Sequence, residues 1–186
     1  MKILILNGSV HGARGNSAIV IKKLQKTHKD IEWDIAHLNK VKHSKKLADR
    51  IDDADALLFM TGTYWDSWGS PLQKFLEDIT HLEGDPRIVG KAAGACVLMH
   101  SVGGKEVLSR LQGVLSSMGF LIPPMSGMAH SLSGHLALKG KSKHADDFWS
   151  LDDLDTVIEN LRVAAHGKSK WATWPVDRKN FRKNWL

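Results

Sequence analysis

The sequence predicts an α/β protein in which helices cover both faces of a parallel sheet. Short apolar runs alternate with amphipathic helical patterns along the chain, as in a series of β-α units with right-handed crossovers. Several runs are almost continuously apolar, which is typical of strands covered on both faces. No run approaches the ~18 apolar residues of a membrane helix, so we predict no membrane span and a cytoplasmic location.

Five strands are predicted, one for each short apolar or alternating run. They cover Lys2–Leu6, Glu32–His37, Ala56–Met60, Ala93–Met99 and Phe120–Ile122. The first, third and fourth are nearly continuous apolar runs, which favours central positions. The second alternates apolar and polar residues, so we expect it at an edge of the sheet.

Five helices are predicted from apolar residues at helical spacing. They cover Ser17–Lys29, Ser44–Arg50, Pro71–Ile79, Lys105–Met118 and Leu151–His166. Met125–Lys143 is rich in Gly, Ser and His and is predicted to be a long loop, which in a compact domain is usually functional or disordered. We therefore divide the chain into one domain, residues 1–166, and a C-terminal tail, residues 167–186.

The basic character of the chain is concentrated in this tail. The net charge is +6, and the last 19 residues contribute +5 of it, so nucleic acid is not predicted as a partner of the domain. The tail interleaves four aromatic residues with its basic ones, Trp171, Trp174, Phe181 and Trp185. Such a segment could stack on bases, lie at a membrane surface, or pack on the domain or a second subunit, and we favour packing.

The single cysteine limits the chemistry available. Cys96 lies within an apolar run, so we predict a buried, inert thiol. One cysteine excludes an internal disulfide and a multi-cysteine metal site, and no metal site is predicted.

In a doubly wound sheet, ligands bind beyond the carboxyl ends of the strands, so the loops after the first, third and fourth strands matter most. The first loop offers hydroxyl and amide donors from Ser9, Asn16 and Ser17, and a guanidinium from Arg14, before the start of a helix. Helix N-termini bind anions, and this loop has neither P-loop nor dinucleotide-binding spacing. It suggests a phosphomonoester site; the alternative is a capping loop with Asn16 or Ser17 as N-cap.

The other two loops carry aromatic and glycine residues. The second, residues 61–71, holds Tyr64, Trp65 and Trp68, which could stack on a flat ligand or instead cover the core or a subunit interface. The third places His100 before the pair Gly103 and Gly104, whose backbone could bind a ligand edge. A single histidine here could equally be structural.

These segments together resemble the flavodoxin-like NAD(P)H-dependent FMN reductase and quinone reductase family. The resemblance rests on three stretches in the family's order within residues 1–125: GSVHGARGNSA, GTYWDSWGSPLQKFLEDI and GKAAGACVLMHSVGGKEVLSRLQGVLSSMGF. Two departures stand out: Thr61 or Gly62 replaces the family's usual proline, and Gln73 replaces a frequent lysine. Residues 126–186 match nothing in the family pattern.

The resemblance implies strand order 2-1-3-4-5 and FMN at the strand ends. The FMN phosphate would then be held by Ser9, Arg14, Asn16, Ser17 and Ala18. The isoalloxazine would be flanked by Thr63, Tyr64, Trp65 and Asp66 on one side and by His100, Ser101, Gly103 and Gly104 on the other. NADPH or NADH would be the reductant and a small molecule the electron acceptor, with subunits paired in a homodimer.

No acid–base pair is required by such chemistry, because the cofactor carries it. The resemblance leaves His100 as the possible catalytic residue, and His130 as another donor to an acceptor oxygen. Two other functions stay open at this point: a flavodoxin-like electron carrier, whose acidic surface this basic chain lacks, and a flavin-less binding module acting through its tail.

Overall fold

The protein, described by a computed structural model, is a three-layer α/β sandwich. The structure describes residues 1–41, 44–139, 149–167 and 169–175. Its strands are β1 Lys2–Asn7, β2 Glu32–His37, β3 Ala56–Tyr64, β4 Ser67–Trp68, β5 Ala92–Met99 and β6 Gly127–Ser131. Its helices are α1 Asn16–Thr27, α2 Ser44–Asp53, α3 Ser70–Asp78, α4 Gly104–Met118, α5 Leu132–Lys139 and α6 Leu154–Ala165.

Five strands form a parallel sheet in the order β2-β1-β3-β5-β6, and the short β4 pairs antiparallel with β3. Apart from β4, this is the predicted order, so the fold prediction is confirmed. The alternating strand β2 lies at an edge, as its pattern indicates, and pairs with β1 in a register that places Asn7 beside His37.

Successive side chains of the central strands enter two separate cores. Leu4, Leu6 and Phe59 pack beneath α2, α3 and α4, whereas Ile3 and Ile5 pack beneath α1 and α6. Because side chains alternate along a strand, a run that is apolar at every position fits a strand with helices on both faces. The nearly continuous apolar runs therefore predict the central strands correctly.

The fifth parallel strand was predicted in the wrong place. Phe120–Ile122 makes only an isolated bridge between Leu121 and Ala92, and Phe120 instead enters the core, with its ring 5.8 Å from that of Phe59. The strand is β6, which pairs with β5. Pro123 and Pro124 lie between the two segments, and prolines cannot donate to a ladder, so pairing resumes only beyond them.

The predicted long loop, Met125–Lys143, is also wrong in its described part. It contains β6 and α5, while residues 140–148 fall outside the described residues. His130 and Ser131 are buried in β6, and Ser126 is buried just before it, so polar residues occupy a strand that a hydrophobic pattern would not reveal.

None of the described helices is both long and apolar enough to cross a membrane.

Candidate functional site

A cleft of about 260 Å³ opens where the carboxyl ends of β1, β3, β5 and β6 meet. It is lined by residues from the loops that follow these strands and from the strand ends themselves: Ser9, His11, Asn16, Ser17, Gly62, Thr63, Tyr64, Leu98, Met99, His100 and Leu132. The rule that ligands bind at this edge of a doubly wound sheet therefore points to a real cavity.

The first wall is the loop from Gly8 to Gly15. Its start is tied to the sheet, because the Gly8 N–H donates to the Met60 carbonyl at 2.7 Å. The loop then forms a 3₁₀ turn over Gly12–Arg14, in which Gly12 has a φ of +52° and lies against the Asn39 amide. A side chain at this position would be both strained and in collision with Asn39.

The N-terminus of α1 faces the cleft without a side-chain cap. Its N-cap residue is Gly15, and no described side chain accepts a hydrogen bond there. The capping alternative, with Asn16 or Ser17 as N-cap, is therefore wrong. The backbone N–H groups and positive dipole end of the helix remain available to an anion.

Ser17 supplies a second, independent sign of a ligand. The residue is 2% exposed and lines the cleft, and its Oγ has no hydrogen-bond partner among the described residues. A buried hydroxyl without a partner costs free energy. A phosphate oxygen at the end of α1 would satisfy it, so the residues present fit a phosphate-bearing ligand.

The second wall is a β-hairpin rather than the predicted irregular loop. Strand β3 continues to Tyr64, so Thr63 and Tyr64 reach the cleft from a strand end. Trp65 and Asp66 form the tip with φ values of +49° and +54°, which are unfavourable for non-glycine residues. Neither residue lines the cleft, and Trp65 is fully exposed.

The hairpin is fastened to α4 and α3. Arg110 donates to the Asp66 carbonyl at 3.0 Å and its guanidinium lies 5.2 Å from the Trp68 ring centroid. The Trp68 indole N–H donates to Gln73 Oε1 at 2.8 Å. Trp68 therefore serves to anchor the hairpin, and Gln73, which replaces a lysine of the family pattern, is part of the anchor.

The other departure from the family pattern also has a structural role. Thr61 is fully buried, and its Oγ1 accepts the Gly69 N–H at 2.9 Å. This bond joins the two ends of the hairpin segment. A threonine hydroxyl thus closes the segment at the place, Thr61 or Gly62, where the family pattern usually has proline.

The third wall follows β5 and brings His100 to the cleft. His100 is exposed, and its carbonyl accepts the Ser133 N–H at 2.9 Å. Gly103 has a φ of +85° and lies against the Asp66 carboxylate. The Gly104 N–H donates to Met99 Sδ at 3.2 Å, so this donor already has a partner.

The structure brings six of the predicted site residues together in the cleft lining: Ser9, Asn16, Ser17, Thr63, Tyr64 and His100. The others lie around it: Arg14, Ala18, Trp65, Asp66, Ser101, Gly103 and Gly104. Sequence reasoning missed His11, Gly62, Leu98, Met99 and Leu132. The first four belong to segments already selected, but Leu132 follows the unpredicted strand β6 and carried no signal.

Burial shifts the pKa of two titratable groups, Cys96 and His130. Cys96 is fully buried and burial raises the pKa of its thiol to about 12, which confirms the prediction of an inert cysteine. Burial lowers the pKa of His130, whose Nδ1 lies 3.3 Å from the Trp149 carbonyl and which does not line the cleft. Within the described ranges, no three His, Cys, Asp or Glu residues could hold a metal ion.

The described part of the tail packs on the domain, far from the cleft. The Trp171 ring lies against the backbone of Gly90, and the Trp174 indole N–H donates to Glu83 Oε1 at 2.7 Å. Both contacts favour the packing interpretation for residues 169–175. Phe181 and Trp185 lie outside the described residues.

Comparison with known proteins identifies the family. A family model described as NADPH-dependent FMN reductase matches residues 1–132, and the chain belongs to this family. No curated protein matches the sequence.

Solved structures share the fold at low identity. RosB with a bound 8-demethyl-8-formylriboflavin-5′-phosphate intermediate is 17% identical, with a TM-score of 0.70 over 89% of this chain and 79% of that one. FerB from Paracoccus denitrificans, a flavoenzyme NAD(P)H:(acceptor) oxidoreductase, is 19% identical, with a TM-score of 0.62 over 88% and 98%. An NADH:FMN oxidoreductase in its apo form is 17% identical, with a TM-score of 0.63 over 88% of each chain.

These findings confirm the resemblance drawn from the sequence. The protein is an enzyme of the flavin reductase class, with FMN as its cofactor and NAD(P)H as its reductant.

Proposed function

We propose that the cleft holds FMN with its phosphate at the N-terminus of α1 and its ring between the hairpin and the loop after β5, for reduction of a small acceptor. The carrying observation is Ser17, whose buried hydroxyl has no partner beside an uncapped helix end. A phosphate there gains a charge-assisted hydrogen bond and the helix dipole together.

The phosphate would be held by groups that the first loop already orients. Ser9 is buried at the base of the loop, and Asn16 and Ser17 lie in the first turn of α1. Arg14 is exposed on the adjoining 3₁₀ turn, where its guanidinium adds positive charge at the mouth. The Ala18 N–H is bonded to the Gly15 carbonyl at 2.9 Å, so Ala18 contributes packing rather than a donor.

The ring would lie between Tyr64 and Thr63 on one side and His100 on the other, over the apolar side chains of Leu98 and Met99. Bound FMN would accept hydride from NAD(P)H and transfer electrons to the second substrate. His100, exposed at the edge of the cleft, would donate a hydrogen bond to the acceptor. Ser101 and Gly103 would offer backbone groups from the same loop.

The acceptor would be a planar quinone, nitro, azo or flavin compound. The mouth carries exposed apolar side chains after β3, β5 and β6, namely Trp65, Val102, Leu132 and Leu136. Such clusters mark interaction surfaces. We propose that a second copy of the chain covers them in a homodimer, and that the enzyme works in the cytoplasm, where a single free cysteine is unremarkable.

The test is the visible absorption spectrum of the purified protein after incubation with FMN and desalting. Retained flavin bands, bleached anaerobically by NADPH or NADH, would support the proposal. Sedimentation of the same sample tests the dimer. A protein that stays colourless, or whose bound flavin neither reductant bleaches, would contradict the assignment of this cleft.

A further inference from the structure

The loop proposed to hold the phosphate is itself held by a buried polar contact to strand β2. Asn7, the last residue of β1, is fully buried. Its Oδ1 accepts the Ser9 N–H at 3.1 Å, and its Nδ2 donates to the Gly12 carbonyl at 3.2 Å. The same Nδ2 lies 2.9 Å from Nδ1 of His37, the neighbouring residue on β2. One side chain therefore connects two points of the loop to the next strand.

These contacts determine the protonation state of His37. The Ser9 N–H requires an acceptor and the Gly12 carbonyl requires a donor, so the orientation of the Asn7 amide is fixed. Its second N–H then points at the imidazole Nδ1, which must accept it. His37 is therefore neutral, with its proton on Nε2. Burial lowers the pKa of His37, and the charge of Lys40 lowers it further.

The turn after β2 supports the same loop at a second point. The Asn39 Nδ2 donates to the Val10 carbonyl at 3.2 Å, and its amide packs against Gly12. This turn follows β2, whereas the three loops selected from the sequence follow the first, third and fourth predicted strands, and it contributes nothing to the cleft lining. Its contribution is to the shape of the loop.

Few charges act on His37 from the elements around it. Lys40 follows on its own turn, and the loop carries His11 and Arg14, both exposed. The first turns of α1, residues 16–21, contain no charged side chain. The side chain that directly faces the imidazole is the neutral Asn7.

We propose that His37 is a positioning residue for FMN: as a neutral acceptor it locks Asn7, and with it the loop that would hold the phosphate. The inference rests on the proposed phosphate site. Protonation of His37 would set an N–H against the Asn7 N–H, so the lock would open in acid. Because the pKa of His37 is lowered, FMN affinity should hold at neutral pH and fall only once the pH is below about 6.5, the ordinary pKa of histidine.

Two substitutions distinguish an effect of His37 on FMN binding from an effect on the stability of the fold. In His37→Asn the Oδ1 replaces the imidazole Nδ1 as an acceptor that does not titrate. In His37→Leu a similar shape lacks the acceptor. We would measure the FMN dissociation constant of wild type and both variants by flavin fluorescence quenching from pH 8 to pH 5. Riboflavin, which lacks the phosphate, is the control ligand, and thermal unfolding at each pH verifies that the proteins are folded.

At pH 8 we expect wild type and His37→Asn to bind FMN equally and His37→Leu to bind about tenfold more weakly. Towards pH 5 wild type should approach His37→Leu, whereas His37→Asn should not. The FMN phosphate titrates near pH ~6 for every variant, so the ratio of wild type to His37→Asn isolates His37. Riboflavin affinity should change little.

The possible failures are distinguishable. If wild type binds no FMN at pH 8, the proposed cofactor site is wrong and this inference is overturned with it. If wild type binds FMN but the ratio to His37→Asn does not change with pH, the proposed pH-dependent lock at His37 is overturned and the cofactor site stands. Equal losses for FMN and riboflavin in His37→Leu would also overturn it, since the effect would not act through the phosphate loop.

Discussion

The two ends of the parallel strands satisfy their polar groups in different ways. The end where the strands begin is the amino-terminal edge of the sheet, and the end where they finish is its carboxyl-terminal edge. At the amino-terminal edge, the half-buried Lys91 donates to the carbonyls of Ile51, Asp52 and Ala54 at 2.6, 2.8 and 2.6 Å. These are orphan carbonyls at the end of α2, and one ammonium group satisfies all three. Trp171 covers the adjacent Gly90.

At the carboxyl-terminal edge, the helix end is left open and the turn is strained. Helix α1 begins without a side-chain cap, Ser17 Oγ is unpartnered, and Trp65 and Asp66 adopt left-handed conformations. The end of α2 is satisfied by a side chain that the fold brings to it, whereas the buried Ser17 hydroxyl beside the cleft has no such partner in the described residues. The open hydroxyl is therefore better explained by a ligand.

The largest expected effect is a loss of stability at the amino-terminal edge, where Lys91 satisfies the end of α2. Lys91→Met keeps the aliphatic length but leaves the three carbonyls without their donor, so the free energy of unfolding should fall by about 3 kcal/mol. Chemical denaturation measures this. FMN affinity should change less than about twofold, because the cleft lies at the other edge.

Lys170→Met is the matched control, since Lys170 is an exposed lysine on the same edge. It should leave stability unchanged. A loss of FMN affinity in Lys91→Met without a loss of stability would mean that the two edges are not separate in the way described.

The next largest effect is a loss of FMN affinity at the carboxyl-terminal edge, where the Ser17 hydroxyl has no partner in the described residues. Ser17→Ala should weaken FMN binding about 10- to 100-fold through loss of a hydrogen bond to a charged group. Its unfolding free energy in the absence of FMN should stay level or rise, because the removed hydroxyl has no partner. Fluorescence titration and denaturation of the flavin-free protein give the two quantities.

Ser126→Ala is the control for this prediction. Ser126 is the other buried hydroxyl without a partner in the described residues, but it lies at the amino end of β6 and does not line the cleft. Its removal should leave FMN affinity unchanged. Equal effects of the two substitutions on affinity would refute the link between Ser17 and the phosphate.

A smaller effect concerns strain in the hairpin. Asn tolerates left-handed backbone better than Trp, so Trp65→Asn should raise the free energy of unfolding by about 1 kcal/mol. Because Trp65 is exposed at the mouth, the same change should weaken the proposed dimer in sedimentation experiments. Val102→Asn, which removes another exposed apolar side chain without relieving a left-handed turn, should weaken the dimer but add no stability.

The sequence was most informative where the structure of a segment depends on the composition of that segment alone. The apolar runs of β1, β3 and β5 need helices on both faces, which predicts a doubly wound sheet. The loop residues Ser9 and Ser17 could be selected because small polar residues before a helix suggest an anion site. Both inferences follow from local composition.

Predictions failed where the environment of a residue is set by residues far away in the sequence. Strand β6 buries His130 and Ser131 because β5 and the layers around it supply partners that no local pattern shows. The hairpin at Trp65 depends on Arg110, which lies 45 positions further along the chain. The contact between Asn7 and His37 depends on strand register, which becomes visible only once the sheet is assembled.

The smallest expected effect tests whether the tail contributes only to stability at the amino-terminal edge and not to the cleft. Trp174→Phe keeps an aromatic side chain but removes the exposed indole hydrogen bond to Glu83, so the free energy of unfolding should fall by only about 0.5 kcal/mol. For a chain of this size the midpoint of thermal unfolding should fall by about 1–2 °C. FMN affinity and acceptor turnover should not change, since no tail residue lines the cleft in the described chain. A clear change in turnover with stability preserved would instead place the tail near a cleft, which in the proposed homodimer could only be that of the partner subunit.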